Sequence, residues 1–213
     1  MRLLSDGTKQ FDKDGELGAK GEADIDETFV DEFLASEPYF DMKLPKTTGR
    51  ELFSDDVAKG LVSKLRQRNK STEAIVATIT RITAESIARA YEQFILPLLQ
   101  EGSTIDEIYL CGGGAHNPNI FNHLKSRFLQ SRVMKLDEAP FKLDPSAKEA
   151  VLFALLGYLA VCGRRIPLAA DAETKDPAIL GVVTPGANYS DVMKAIVADE
   201  EFGSWSTLGR IIM

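Results

Sequence analysis

Apolar positions recur at helical spacing through much of the chain, and each recurrence predicts an element. Between Ile25 and Ser36, the residues Phe29, Val30, Phe33 and Leu34 fall on one face of an amphipathic helix. Ser54-Asp55-Asp56 predicts the start of the next helix, with a hydroxyl to cap it and carboxylates at its positive end. From Ser71 to about Leu99 the stripe Ile75, Ile79, Ile82, Ile87, Tyr91, Phe94 and Leu98 marks the longest helix. Its threonines Thr78, Thr80 and Thr83 lower helix propensity slightly, and Pro97 is expected to kink or end it. A helix over Asn117 to Leu129 turns Ile120, Phe121 and Leu124 inward, and an amphipathic one runs from Ser190 to about Asp199. Asp144-Pro145 opens a helix to about Cys162 that is apolar on nearly every face from Ala150 onward. Such a helix is expected to be buried.

Strand signals are few. Ile108 to Cys111 is a short apolar run, Arg132 to Leu136 alternates, and Ala178 to Pro185 looks like a strand entering a turn. Pro38 and Pro45 bracket a segment, Tyr39 to Leu44, that is expected to be extended. Trp205 to Met213 is an apolar tail expected to dock on the body. The pattern predicts a helix-rich α/β protein with a small mixed sheet. Roughly three strands fall short of the usual five or six, and Met1-Arg2-Leu3-Leu4 resembles the end of a helix. Both fit half of a larger protein.

The chemistry concentrates where the run Ile108 to Cys111 meets Gly112-Gly113-Gly114 and then Asn117-Pro118. Three glycines let backbone turn sharply and lie against a flat ligand with no Cβ in the way. Asn117 is a favoured N-cap, and Pro118 suits the first helical position. Strand, glycine turn and helix N-terminus is how α/β proteins build nucleotide sites. The turn matches neither the spaced dinucleotide fingerprint nor the P-loop pattern, so a structural tight turn is the alternative reading.

Bulk properties narrow the classes. A net charge of −7 with no offsetting basic cluster argues against nucleic acid, and Lys64 to Lys70 reads as a solvated helix end. Cys111 and Cys162 lie in apolar runs and read as buried reduced thiols, with a disulfide left open. Two cysteines and two histidines make a zinc site an unfavoured reading, and no metal-binding residue is assigned. Asp12-Lys13-Asp14-Gly15 resembles the start of a calcium loop but lacks its closing ligands, so a turn held by Asx side-chain bonds is preferred. No run reaches the ~20 residues of a membrane span, and no signal-peptide pattern follows Met1. A cytoplasmic protein is expected.

Several segments together resemble the anhydro-N-acetylmuramic acid kinase family. They are Phe11 to Gly15 with Gly21, Pro45 to Phe53, Leu110 to Pro118, Asp144 to Ala150 with Phe153-Ala154-Leu155, and Leu180-Gly181 with Pro185-Gly186. The resemblance runs from Met1 to about Asn188 and is specific through the combination. It implies the C-terminal lobe of a ribonuclease H-like, actin-like ATPase kinase. Such enzymes use ATP and Mg²⁺ to open the 1,6-anhydro bridge of the sugar with water and phosphorylate O6, returning cell-wall sugar to metabolism. Residues 1–53 would then continue from a first lobe, 54–188 form the nucleotide and sugar lobe, and 189–213 a C-terminal helix and tail.

Carried onto this sequence, the resemblance implies adenosine contacts at Gly112, Gly113, Gly114, Ala115 and Asn117, and a sugar contact at Glu149. Asn117 also reads as a cap, and Glu149 as a carboxylate favoured at a helix start. His116 reads as a partly exposed loop histidine or a ring for stacking on adenine. Lys46, Thr47 and Arg50 read as a cleft-lining loop or as a loop fixed by an Arg50 salt bridge. The family's Gly-Thr-Ser-x-Asp-Gly phosphate loop, its water-activating aspartate and its Asp-Thr-Gly-Pro-Gly segment do not occur here. No catalytic residue is therefore named, and Mg²⁺ is expected mainly on the other lobe. Phosphoryl transfer is mostly positioning and charge stabilisation, so the 213 residues alone are expected to be inactive. The expected partners are ATP, an anhydro amino sugar and a second copy in a homodimer. The alternative is a non-catalytic binding or oligomerisation module.

Overall fold

A computed structural model describes residues 1–140, 142–166, 176–182 and 184–198. Met1–Ser146 form one compact unit and Ala147–Met213 a second. The expected tail at Trp205 to Met213 lies outside the described residues.

The first unit is built around one long helix. Helices α1 (Glu16–Lys20), α2 (Glu27–Ser36) and α3 (Asp55–Gln67) precede α4 (Thr72–Ala90). Side chains start three of these: Asp26 Oδ1 accepts from Phe29 N, Ser54 Oγ from Val57 N and Ser71 Oγ from Ala74 N. Each satisfies one of the amides that a helix N-terminus leaves unpaired. The N-terminal half of α4 meets α2 and α3 through Phe29, Val30, Leu34, Leu61, Val62, Leu65, Ile75 and Ile82. Full burial of a side chain such as Leu65 or Ile75 is worth ~1.5–3 kcal/mol. Of the predicted stripe, Ile75 and Ile82 lie in this core with Ile79 against it, while Ile87 and Tyr91 pack on a second core.

Past Ala90 the helix loosens into a π turn, Tyr91–Ile95, and a 3-10 turn, Leu96–Leu98. Pro97 has no N–H to continue the ladder, and Leu98 is exposed rather than part of the stripe.

The C-terminal half of α4 packs on a β-α-β unit. Strand β1 (Glu107–Leu110) leads through the glycine turn into α5 (Pro118–Arg127), which returns to β2 (Arg132–Lys135). The strands are parallel, with Ile108 opposite Val133 and Leu110 opposite Lys135. Ala88, Ile108, Leu110, Ala115, Leu124, Phe128 and Val133 form the second core.

Among the described residues the sheet is smaller than expected and parallel rather than mixed. Ala178 to Val182 forms no strand, although Ile166 N donates to Ala178 O at 3.1 Å. One bond does not make a ladder. The segment Tyr39 to Leu44 is not extended throughout, because Pro38–Asp41 forms a 3-10 turn that Glu37 caps by accepting from Tyr39 N. Cys111 and Cys162 are free and half-buried rather than buried.

In the second unit, α7 (Tyr189–Ala198) forms as predicted within a residue or two, whereas α6 (Lys148–Val161) starts later than Asp144-Pro145 implied, because Pro145–Ala147 makes a 3-10 turn first. The expectation that α6 is buried fails. None of its residues is buried, and Leu152, Phe153 and Val161 are 48%, 69% and 58% exposed. An all-round apolar helix is covered only if something packs on every face, and the described residues do not supply that.

Candidate functional site

The glycine turn begins where β1 ends. Gly112 has φ 75° and ψ −178°, a conformation that a side chain excludes. Nothing lies within 4 Å of where a Cβ would stand on Gly112 or Gly113. Gly113–His116 then forms a 3-10 turn. The methyl of Ala115 is buried in the second core, so that residue can offer only backbone to a ligand. His116 and Asn117 are half-buried.

Asn117 caps α5: its Oδ1 accepts from Asn119 N at 3.0 Å, with Pro118 in the first turn. Gly112 N donates to Pro145 O at 2.8 Å, and Ala115 N donates to Gly112 O at 3.1 Å. Those two amides are therefore already engaged. At Gly112 and Gly113 the turn presents open backbone without side chains.

A second turn lies beneath α5. Asp12 does not behave as a metal ligand: Oδ1 accepts from Leu17 N and Oδ2 from Gly18 N, each at 2.9 Å. The Asx-type reading of this turn holds. Asp14 and Gly15 both have positive φ, 53° and 69°. A Cβ on Gly15 would stand 2.7 Å from Pro118 Cδ and 2.8 Å from Asn117 Oδ1. Asn119, fully buried, donates from Nδ2 to Gly18 O at 3.0 Å, and its Oδ1 has no partner. Gly21 completes the series, since a Cβ there would stand 2.2 Å from the Glu73 carbonyl carbon. Glycines at 15, 18 and 21 are three residues apart, which was the available sign of a helix pressed against backbone.

Farther along α5, an ionic cluster fixes the helix to α4. Glu85 accepts from Arg89 Nε at 2.9 Å and lies 2.7 Å from His123 Nε2; Arg127 also donates to it. Arg127 forks onto Glu92 at 2.6 and 2.8 Å, and Arg89 reaches Asp31. Burial pushes the Glu85 carboxyl up, but hydrogen bonds from Arg89, Arg127 and His123 outweigh it and hold the pKa at about 2. No periodicity argument exposes such a cluster.

Lys46 turns away from solvent. Its ammonium donates to Tyr39 O and Phe40 O at 3.0 and 2.9 Å and sits over the Tyr39 and Phe94 rings. Burial lowers its pKa, with Asp41 opposing. Arg50 pairs with Asp55 at 3.4 Å with both side chains largely exposed, so the predicted salt bridge forms but contributes little. Glu149 is exposed in the first turn of α6.

Among the described residues no three His, Cys, Asp or Glu side chains gather where they could hold a metal. No residue is assigned to Mg²⁺. No described helix is long and apolar enough to cross a membrane.

These features define a helix-rich α/β protein with a glycine turn between a parallel strand and a helix N-terminus. The model of the anhydro-N-acetylmuramic acid kinase family matches residues 4–186, and the chain belongs to that family. Membership implies a sugar-kinase fold. An anhydro-N-acetylmuramic acid kinase of Caldanaerobacter subterraneus is 36% identical over 186 residues, covering 86% of this chain and 44% of the relative. The Gloeobacter violaceus protein of that name is 40% identical over 167 residues, 76% of this chain and 41% of its own length. The Clostridioides difficile one is 32% identical over 177 residues, 83% and 43%. The chain thus spans less than half the length of these relatives.

Proposed function

We propose that this chain supplies the adenosine-holding part of an ATP-dependent anhydro amino sugar kinase and does not catalyse phosphoryl transfer alone. The observation that carries the reading is the open glycine turn at the start of α5, in a chain matching the family over residues 4–186. Gly112, Gly113 and Gly114 with the backbone of Ala115 form the surface for adenosine. Asn117 acts chiefly through its cap, and Glu149 contacts the sugar. In the whole reaction water adds at the anomeric carbon as the anhydro bridge opens. The freed O6 takes the γ-phosphoryl group, leaving ADP. Groups that hold the phosphates and Mg²⁺ and deprotonate the water come from outside these 213 residues. The reaction belongs in the cytoplasm, where ATP is available.

The test has two arms. Hydrogen exchange of the purified chain should show ATP-dependent protection at Gly112 to Ala115, and unchanged exchange there removes the nucleotide reading. A coupled assay with ATP, Mg²⁺ and anhydro-N-acetylmuramic acid should show no turnover by the chain alone. Measurable turnover overturns its dependence on outside groups.

The exposed apolar residues of α6 favour a second reading, a binding or oligomerisation module derived from this kinase lobe. Concentration-dependent association without ATP protection supports it over the first.

A further inference from the structure

We infer that the turn Asp12 to Gly18 is a positioning element for the glycine turn, and that Asn119 is the residue through which it acts. The inference rests on the reading that Gly112 to Ala115 meets adenosine.

A run of three glycines has wide backbone freedom and does not hold a shape by itself. Its shape must be imposed from neighbours. Downstream, the turn is continuous with the first turn of α5, and that first turn rests on Asp12 to Gly18. Asp12 clamps two successive amides of the segment, Leu17 N and Gly18 N. The clamp presents Gly18 O to Asn119 Nδ2 across 101 positions of sequence. Gly15 in the left-handed region brings backbone so close to Asn117 and Pro118 that not even a methyl fits between them. The α5 N-terminus is therefore seated from below, while Gly112 N and the Ala115 methyl hold the turn from its other sides.

Asn119 also separates positioning from bulk stability. Its Oδ1 is buried without a partner, and an unsatisfied buried acceptor costs stability. Replacing Asn119 with the similarly sized Leu removes that cost while it removes the bond to Gly18 O. The two changes oppose each other globally but not locally, because only the α5 N-terminus loses its tether.

The experiment compares wild type, Asn119→Leu and Asp12→Asn as full chains. Asp12→Asn keeps one acceptor and serves if the Leu variant does not fold. Backbone hydrogen exchange is followed at Gly113 to His116 and at Ile75 to Ile82 of α4, alongside ATP titration. In the variants, exchange at Gly113 to His116 should accelerate about tenfold through local opening, with α4 unchanged. The ATP dissociation constant should rise by about the same factor. Equal acceleration in α4, or none at the turn, overturns the inference and assigns the two residues a purely structural role. ATP protection that is identical in all three proteins overturns it while leaving the nucleotide reading intact. A loosened turn in variants of a wild type that ignores ATP upholds the positioning and removes the nucleotide reading instead.

Discussion

His123 Nε2 lies 2.7 Å from Glu85 Oε2, so α5 meets α4 through an acid that is itself buried at 7% exposure. Arg89 and Arg127 complete its shell. The depressed Glu85 pKa gives the sign of a pH effect. A carboxyl held at about 2 when folded, against an ordinary 4.5, stabilises the fold fully above the unfolded value. That contribution, on the order of 3 kcal/mol, is lost as pH falls from about 4.5 toward 2. Urea denaturation of wild type across that range should show a falling midpoint. Glu85→Gln should lower stability by about 3 kcal/mol at pH 7 and flatten the acid limb. An unchanged limb in the variant would show that another group carries it.

Gly112 and Gly113 should respond differently to one methyl group. Alanine at 112 must adopt a positive φ, so Gly112→Ala should cost about 1–3 kcal/mol in denaturant. Gly113 has open space and no such constraint. Gly113→Ala should leave stability within about 0.5 kcal/mol. Its methyl would stand on the surface assigned to adenosine and weaken ATP binding about tenfold, ~1.4 kcal/mol. Equal ATP affinity in that variant would move the ligand elsewhere.

Asn117 is separable as cap and ligand. Asn117→Ala should cost about 1 kcal/mol, and Asn117→Asp should restore it because a carboxylate accepts from Asn119 N equally well. If the restored variant still loses ATP affinity, the side chain contacts the nucleotide directly.

Gly21 admits no side chain at all. A Cβ there would overlap the Glu73 carbonyl group, which is backbone and cannot swing aside. Gly21→Ala should cost about 3 kcal/mol or more, read as a lowered thermal midpoint. Gly60→Ala has open space and is the matched control; it should be neutral or stabilising by a few tenths of a kcal/mol.

Much of this architecture is written in periodicity. Apolar spacing located α2, α4 and α5, and cap residues located the starts of α3, α4 and α5, because both act within one or two helical turns. The strand–glycine turn–helix junction was legible for the same reason. Long-range relations were not. The Asn119–Gly18 bond and the contacts of Glu85 with His123 and Arg127 join residues far apart in the chain, and the spacing of Gly15, Gly18 and Gly21 signals close packing without naming the partner. The misreadings at Ala178 to Val182 and at α6 share one cause: hydrophobicity specifies that a segment would gain from burial, not that a partner surface is present.

The two short parallel strands have a consequence outside enzymology. Among the described residues β1 and β2 pair only with each other, and two strands are marginal alone, so the pair depends on the apolar side chains of α4 and α5 packed against it. Loosen either helix and the two strands should part with it.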